Sequence, residues 1–214
     1  MLWGVDVHAH VTDKEVVMST TRTTPRATLR ATPRTLLAGA LLAVGALTPV
    51  AAIAPAAHAA PYCGITWGSL PKVTGFDTAQ APLTDVRSGR HTCFDRVVVD
   101  ISGDAGEYAV RYVSTYRAPG SGQALSLRGG AKIEVLVGNP AYDADGDAVY
   151  DPANPAELVG TGGYRTLRQV RLGGSFEGQT SFGLGVRARL PMRAFVLDGP
   201  GSGQRLVVDV AHRW

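Results

Sequence analysis

A glycine-rich segment at residues 173–189 combines the side chains that bind small polar ligands. An aromatic ring beside a carboxylate and an amide can stack on a sugar and bind its hydroxyl groups, and guanidinium groups at alternate strand positions can bind carboxylates bidentately. The competing interpretation is structural, with the glycines forming bulges and a tight hairpin and both phenylalanines lying in the core. The candidate ligand-binding residues are Phe176, Glu177, Gln179, Arg187 and Arg189.

No residue pattern in the chain marks a catalytic site. After residue 60 the histidines are His91 and His212, and neither is spaced to form a triad with Ser175. Several glutamates could meet in the fold as a glycoside-cleaving pair, but their spacing selects no pair. We therefore predict a non-catalytic protein without a cofactor, and an unrecognised hydrolase is the third functional interpretation.

An acidic segment at 143–147 is similar to the first half of an EF-hand loop. Asp143, Asp145 and Asp147 alternate as calcium ligands do, but Ala148 stands where the loop needs glycine, and Asn154 where it needs glutamate. We therefore expect a solvent-exposed acidic hairpin and no metal site.

Residues 18–59 have the three parts of a secretory signal. Four arginines without an acidic residue precede an uncharged apolar stretch at 36–47, which is shorter than the roughly 20 residues that span a bilayer. The small residues Ala57 and Ala59 flank His58 as a signal peptidase requires, so we expect cleavage after Ala59. The mature protein is then secreted or associated with the cell wall, without a stable membrane span.

Residues 1–17 precede this signal, and we interpret them as an upstream extension with Met18 as the true start. They contain His8 and His10, whose spacing is similar to the metal-binding pair that opens an amidohydrolase barrel. A barrel needs some 200 to 250 residues with further ligands, and a signal peptide follows here instead.

Cys63 and Cys93 both lie in the part expected to be exported, where an even number of cysteines predicts a disulfide. A bond closing about 30 residues contributes roughly 3.5 kcal/mol in the chain-entropy model. The alternatives are a catalytic thiol, which needs a free cysteine and a base, and a zinc site, which needs more ligands than these thiols and His91. Prolines, glycines and little periodicity predict that residues 60–92 form an irregular arm that the disulfide tethers.

The composition, 45% hydrophobic and 18% charged, excludes general disorder. From residue 60 onward acidic and basic residues nearly balance, so no nucleic-acid partner is indicated, and we expect a monomer. Seven short segments show strand-like periodicity and end at glycine or proline, which predicts an all-β sandwich or small barrel. These segments are 94–103, 108–116, 132–137, 167–172, 180–188, 193–197 and 204–210.

Two of these segments repeat one pattern, an arginine, three apolar residues and an aspartate. We expect Val97 and Val99 in the first, and Val207 with its neighbours in the second, to face the core. The charged residues then face outward, either as cross-strand ion pairs or as a ligand site. They are Arg96 and Asp100 in the first segment, and Arg205 and Asp209 in the second.

The repeated pattern, CFDRVVVDI at 93–101 and QRLVVDVAH at 204–212, resembles the signatures of AMIN domains. These are small β-sandwich modules of cell-wall amidases and secretins, associated with targeting to peptidoglycan. The closer resemblance is to the AMIN-like group of exported actinobacterial proteins, through SLRGGAKIEVLVGNPAYD at 126–143 and the long motif at 173–200. The resemblance implies an AMIN-like domain at 93–214.

The resemblance implies a non-catalytic envelope module. Its expected partner is a cell-wall glycan, in particular peptidoglycan, and the alternative is docking to an envelope protein through an exposed strand edge. A glycan binder predicts an aromatic residue lining a groove, whereas a docking module predicts a flat apolar edge.

Overall fold

The computed structural model describes residues 61–199 and 201–214, which form eleven strands and no helix. The predicted extension at 1–17 and signal at 18–59 lie outside the described residues. The strands are β1 (Lys72–Val73), β2 (Leu83–Arg90), β3 (Phe94–Ile101), β4 (Tyr108–Val113), β5 (Tyr116–Arg117), β6 (Ala124–Leu125), β7 (Ala131–Val137), β8 (Leu167–Phe176), β9 (Gln179–Val186), β10 (Met192–Asp198) and β11 (Gln204–Ala211).

Two antiparallel sheets pack together as a sandwich, which confirms the predicted fold class. One sheet has five strands in the order β1-β4-β7-β9-β8, and the other has four in the order β10-β11-β3-β2. The short hairpin of β5 and β6 is a separate two-stranded element. The described strands do not close into a barrel.

The core consists of alternate residues on the facing sides of the two sheets. Val97, Val99 and Ile101 of β3 lie inward, because successive residues of a strand point to opposite faces. In β11 the inward residues are Leu206, Val208 and Val210. The expectation that Val207 faces the core was therefore wrong by one position. Val207 is buried on the outer face, opposite Val98 in the ladder.

The second half of the segment expected to be irregular forms β2, which pairs with β3. The alternation of apolar and polar residues in β2 is weak, because only Leu83 and Val86 are fully buried and a bulge interrupts the register between Leu83 and Asp85. The preceding residues carry only the two-residue strand β1 and isolated bridges. The predicted disulfide between Cys63 and Cys93 is confirmed, and it fastens the start of this segment next to β3.

The hairpin of β5 and β6 covers the outer face of the five-stranded sheet through Tyr116. This side chain is completely buried, and its hydroxyl lies 3.0 Å from Oγ of Ser181. Burial raises the pKa of the Tyr116 phenol well above its usual value, so the hydroxyl stays protonated. The ring fits because Gly173 and Gly183 leave a depression, and a Cβ atom at Gly183 would lie 2.6 Å from the ring.

Replacing Gly183 by alanine is expected to destabilise the protein by about 2 kcal/mol, because the added Cβ atom would clash with the completely buried ring of Tyr116. The measurement is the free energy of unfolding in urea. Gly162→Ala is the control, because no atom lies within 4 Å of its Cβ position, and its effect should stay within about 0.5 kcal/mol. Equal stability of the two variants would show that the Tyr116 contact does not constrain the sheet.

Candidate functional site

The glycine-rich segment forms the hairpin between β8 and β9, and it brings Phe176, Glu177 and Gln179 together. Phe176 ends β8, Gln179 begins β9, and the two are paired across the ladder. Glu177 and Gly178 form a two-residue turn with φ angles of 51° and 77°. A two-residue turn with positive φ at both positions matches the twist of the paired strands. Glycine adopts positive φ without strain, which explains why it occupies position 178.

An open groove of about 350 Å³ lies beside this hairpin, and we call it the hairpin groove. Its lining includes Phe176, Glu177, Gln179, Arg117, Gly120 and the ion pair between Arg111 and Glu134. The Phe176 side chain is 48% exposed. Its ring packs on the backbone of Gly120, where a Cβ atom would lie 3.2 Å from the ring.

Polar groups of the hairpin groove are held in place by hydrogen bonds. Nη1 of Arg117 donates to the carbonyl oxygen of Gly122 at 2.9 Å, and Nε of Arg111 donates to Oε2 of Glu134 at 2.8 Å. Nε2 of Gln179 donates to the carbonyl oxygen of Phe76, which leaves the amide oxygen of Gln179 as an acceptor. The groove therefore presents fixed donors and acceptors beside an exposed ring.

Three other glycines of the segment have structural explanations. Gly173 and Gly183 make room for Tyr116, and the backbone of Gly185 lies directly against the carbonyl oxygen of Arg128. Phe182 is completely buried, in contrast to Phe176. The segment thus follows the structural interpretation along β9, and its exposed side chains lie at the turn and after the end of this strand.

Arg187 and Arg189 lie at the opposite end of β9 from the turn. An extended strand of this length separates them from Gln179 by about 25 Å, so the five candidate residues do not form one site. Arg187 donates from Nη2 to the carbonyl oxygen of His212 at 2.7 Å. The guanidinium of Arg189 lies over the ring of Tyr112, 4.6 Å from its centroid.

The acidic segment forms a turn that uses its first aspartate internally. Oδ1 of Asp143 accepts hydrogen bonds from the backbone nitrogens of Asp145 and Asp147 at 3.0 and 2.9 Å. Such an Asx-type turn needs no cation. In the described residues no group of three or more histidine, cysteine, aspartate or glutamate side chains is arranged to hold a metal ion.

The two histidines and Ser175 do not form a catalytic arrangement. His91 stacks on Phe94, whereas Nε2 of His212 lies 3.0 Å from Oδ1 of Asp95. Ser175 lies at the far end of β8 from these residues, where its hydroxyl hydrogen-bonds within the hairpin.

Asp95 is a buried carboxylate that the sequence reasoning missed. Its Oδ2 accepts hydrogen bonds from the backbone nitrogens of Thr166 and Leu167 at 2.6 and 2.9 Å, which connects β3 to the start of β8 in the other sheet. The alternation of side chains along this strand identifies Asp95 as inward-facing, because residues two apart share a face and Val97 faces the core.

The repeated Arg-Asp pattern produces one buried ion-pair cluster. Because β3 and β11 are antiparallel, Arg96 lies opposite Asp209 and Arg205 opposite Asp100. Arg96 binds Asp209 bidentately at 2.6 and 2.9 Å, and Arg193 of β10 binds the same carboxylate at 2.8 Å. The hydrogen bond to Asp209 raises the pKa of the Arg96 guanidinium.

The second half of the pattern is paired differently. Asp100 forms an exposed ion pair with Arg87 of β2, whereas Nη2 of Arg205 donates to the carbonyl oxygen of Asp198. The predicted cross-strand ion pair thus forms between Arg96 and Asp209, and not between Arg205 and Asp100.

Aromatic rings surround the cations of the buried cluster. The guanidinium of Arg193 lies 4.9 Å from the ring centroid of Phe195, and that of Arg96 lies 5.2 Å from the centroid of Phe94. The carboxylate of Asp209 is completely buried between them. Both carboxylate oxygens of Asp209 accept hydrogen bonds from arginines, which supports the ion-pair interpretation of the pattern.

These features define a disulfide-linked antiparallel β-sandwich with a groove at one end. The family model of the AMIN-like domain matches residues 81–212. The chain therefore belongs to the AMIN-like domain family, whose members are typically non-catalytic modules related to cell-envelope binding or interaction. The comparison with curated proteins gave no match, and neither did the comparison with solved structures.

The family and the confirmed disulfide fit an exported protein. In the described part of the chain, no helix has the length and apolarity needed to cross a bilayer. The family match begins before β2, which makes this strand part of the domain.

Replacing Asp209 by alanine is expected to lower the free energy of unfolding by about 3 kcal/mol, because two partly buried arginines lose their shared carboxylate. Asp100→Ala is the matched control, since Asp100 ends the equivalent motif but pairs with the exposed side chain of Arg87. Its loss should be below about 1 kcal/mol. Chemical denaturation of both variants tests this, and equal losses would contradict the special role of Asp209.

Proposed function

We propose that this protein is an exported, non-catalytic module that binds peptidoglycan or a related envelope glycan through the hairpin groove. The observation that carries the proposal is the half-exposed ring of Phe176, which is held against Gly120 at the edge of a polar groove. An aromatic ring in a fixed position can stack on the apolar face of a sugar with little loss of side-chain entropy.

The polar lining suits the other parts of a peptidoglycan fragment. Hydroxyl and amide groups of the glycan can bind the amide oxygen of Gln179 and the carboxylate of Glu177. The guanidinium of Arg117 still has donors beyond the one bound to Gly122, and these can bind a lactyl or stem-peptide carboxylate. The family's association with the envelope supports a ligand of this kind.

The alternative is a module that docks an envelope protein by strand addition. β2 and β10 are the edges of the four-stranded sheet, and edge strands can accept a further strand. However, β2 carries exposed polar and charged residues, Thr84, Asp85 and Arg87, and charged edges hinder pairing with another chain. The presence of an aromatic residue in a groove favours the glycan.

Cosedimentation of the oxidised protein with isolated peptidoglycan sacculi tests the proposal. Wild type should bind saturably, and Phe176→Ala and Arg117→Ala should each weaken binding by about tenfold, corresponding to about 1.4 kcal/mol for a lost stacking contact or charged hydrogen bond.

Leu197→Ala is the control, because Leu197 is 40% exposed on β10, away from the hairpin groove. It should bind as wild type does, and so should Arg187→Ala, whose side chain lies at the other end of β9. No saturable binding by wild type would reject peptidoglycan as the ligand. Equal losses in all variants would reject the hairpin groove as its site.

A further inference from the structure

Five arginines gather at the end of the sandwich opposite the hairpin groove, and we call them the arginine cluster. They come from the end of β2, the segment leading into β8, the second residue of β8, the residue after β9 and the C-terminal residues. They are Arg90, Arg165, Arg168, Arg187 and Arg213.

The arginine cluster lines two adjoining grooves of about 540 and 460 Å³. Both grooves include Arg165 and His212 in their lining, so they adjoin at these two residues. Arg90 lies in one groove beside Gly163, and Arg213 lies in the other with its guanidinium 4.6 Å from the ring centroid of Tyr62. Arg90, Arg165, Arg187 and Arg213 are exposed to solvent.

The cluster carries positive charge that the protein itself does not neutralise. Among the residues that the structure describes, none of the five guanidiniums forms an ion pair with a carboxylate. The one carboxylate side chain in the lining is that of Asp95, which is buried and already bound to His212, Thr166 and Leu167. Like charges brought together without counter-charges repel each other, and a bound anion relieves this repulsion.

Part of the cluster is held in position by backbone carbonyls. The carbonyl oxygen of Arg165 accepts hydrogen bonds from Nη2 of Arg168 at 3.3 Å and from Nε of Arg187 at 3.2 Å. Arg168 also donates to the carbonyl oxygens of Tyr164 and Leu167. Two guanidiniums are therefore fixed before a ligand arrives, which lowers the entropy lost on binding.

We propose that the arginine cluster binds a soluble chain that carries phosphate groups in series. Guanidinium groups match phosphate oxygens bidentately, and several of them spread over two joined grooves suit several anionic groups rather than one carboxylate. This site is separate from the hairpin groove by the length of β9, and the inference goes beyond the proposed function.

The test is a titration of the protein with a short linear polyphosphate and with poly(glycerol phosphate), which distinguishes a phosphoanhydride chain from a phosphodiester chain. Wild type should bind at least one of them, and affinity should fall as ionic strength rises. The double variant Arg90→Ala/Arg165→Ala should bind about tenfold more weakly or worse, because two charged contacts are lost.

Three controls establish whether phosphate binding depends on the arginine cluster. Arg90→Lys/Arg165→Lys keeps the positive charges but loses the bidentate hydrogen bonding of the guanidiniums. Its affinity should therefore fall between those of wild type and the alanine variant. Arg117→Ala removes an arginine of the hairpin groove and should leave polyphosphate binding unchanged while weakening sacculus binding. Thermal unfolding of the alanine variant should match wild type, since the side chains of Arg90 and Arg165 are exposed.

Failure to bind either phosphate chain at physiological salt would overturn the proposal. Equal affinity for polyglutamate of the same charge would overturn it too, because the cluster would then attract any polyanion. Binding to anionic phospholipid vesicles without binding to the soluble chains would assign the cluster to a membrane surface instead. Each of these results leaves the sacculus experiment, and hence the proposed function, unaffected.

Discussion

The arrangement of the four-stranded sheet depends on the ion pairs that the carboxylate of Asp209 forms with two arginines. The carboxylate is buried between Arg96 of β3 and Arg193 of β10, so it fixes the register of three strands at once. A slip of one residue would turn Val97 and Val99 outward and would bury a cation in the core. Removing one partner of a buried ion cluster leaves the others unpaired, which disfavours any register that separates Asp209 from its arginines.

This register also decides what lies at the ends of the sandwich. With Arg96 facing outward, Asp95 must face inward, where it meets backbone nitrogens at the start of β8 and the imidazole of His212. The same contacts bring the segment before β8 and the C-terminal residues together. The arginine cluster is thus a consequence of how the two sheets are joined at this end.

The outer face of the five-stranded sheet is closed by a different contact, the burial of Tyr116 over Gly173 and Gly183. Two glycines of a segment whose composition suggests ligand contact therefore serve to admit this ring. Only the turn at Glu177 and Gly178 extends beyond the contact, together with the exposed ring of Phe176. Both candidate ligand surfaces consequently lie at strand ends, where the backbone leaves the ladder and side chains are free.

The residue pattern was enough to predict most of the strands, the inward face of β3 and the disulfide, because alternation, turn residues and paired cysteines act locally or through a simple count. It did not predict β2, because two fully buried side chains give too weak an alternation of apolar and polar residues. It also placed Phe176 and Arg187 in one site, although they lie at opposite ends of β9. That Arg193 joins Asp209, and that five distant arginines meet, became visible only in the folded chain. Such contacts depend on strand order and register, which no local pattern of residues encodes.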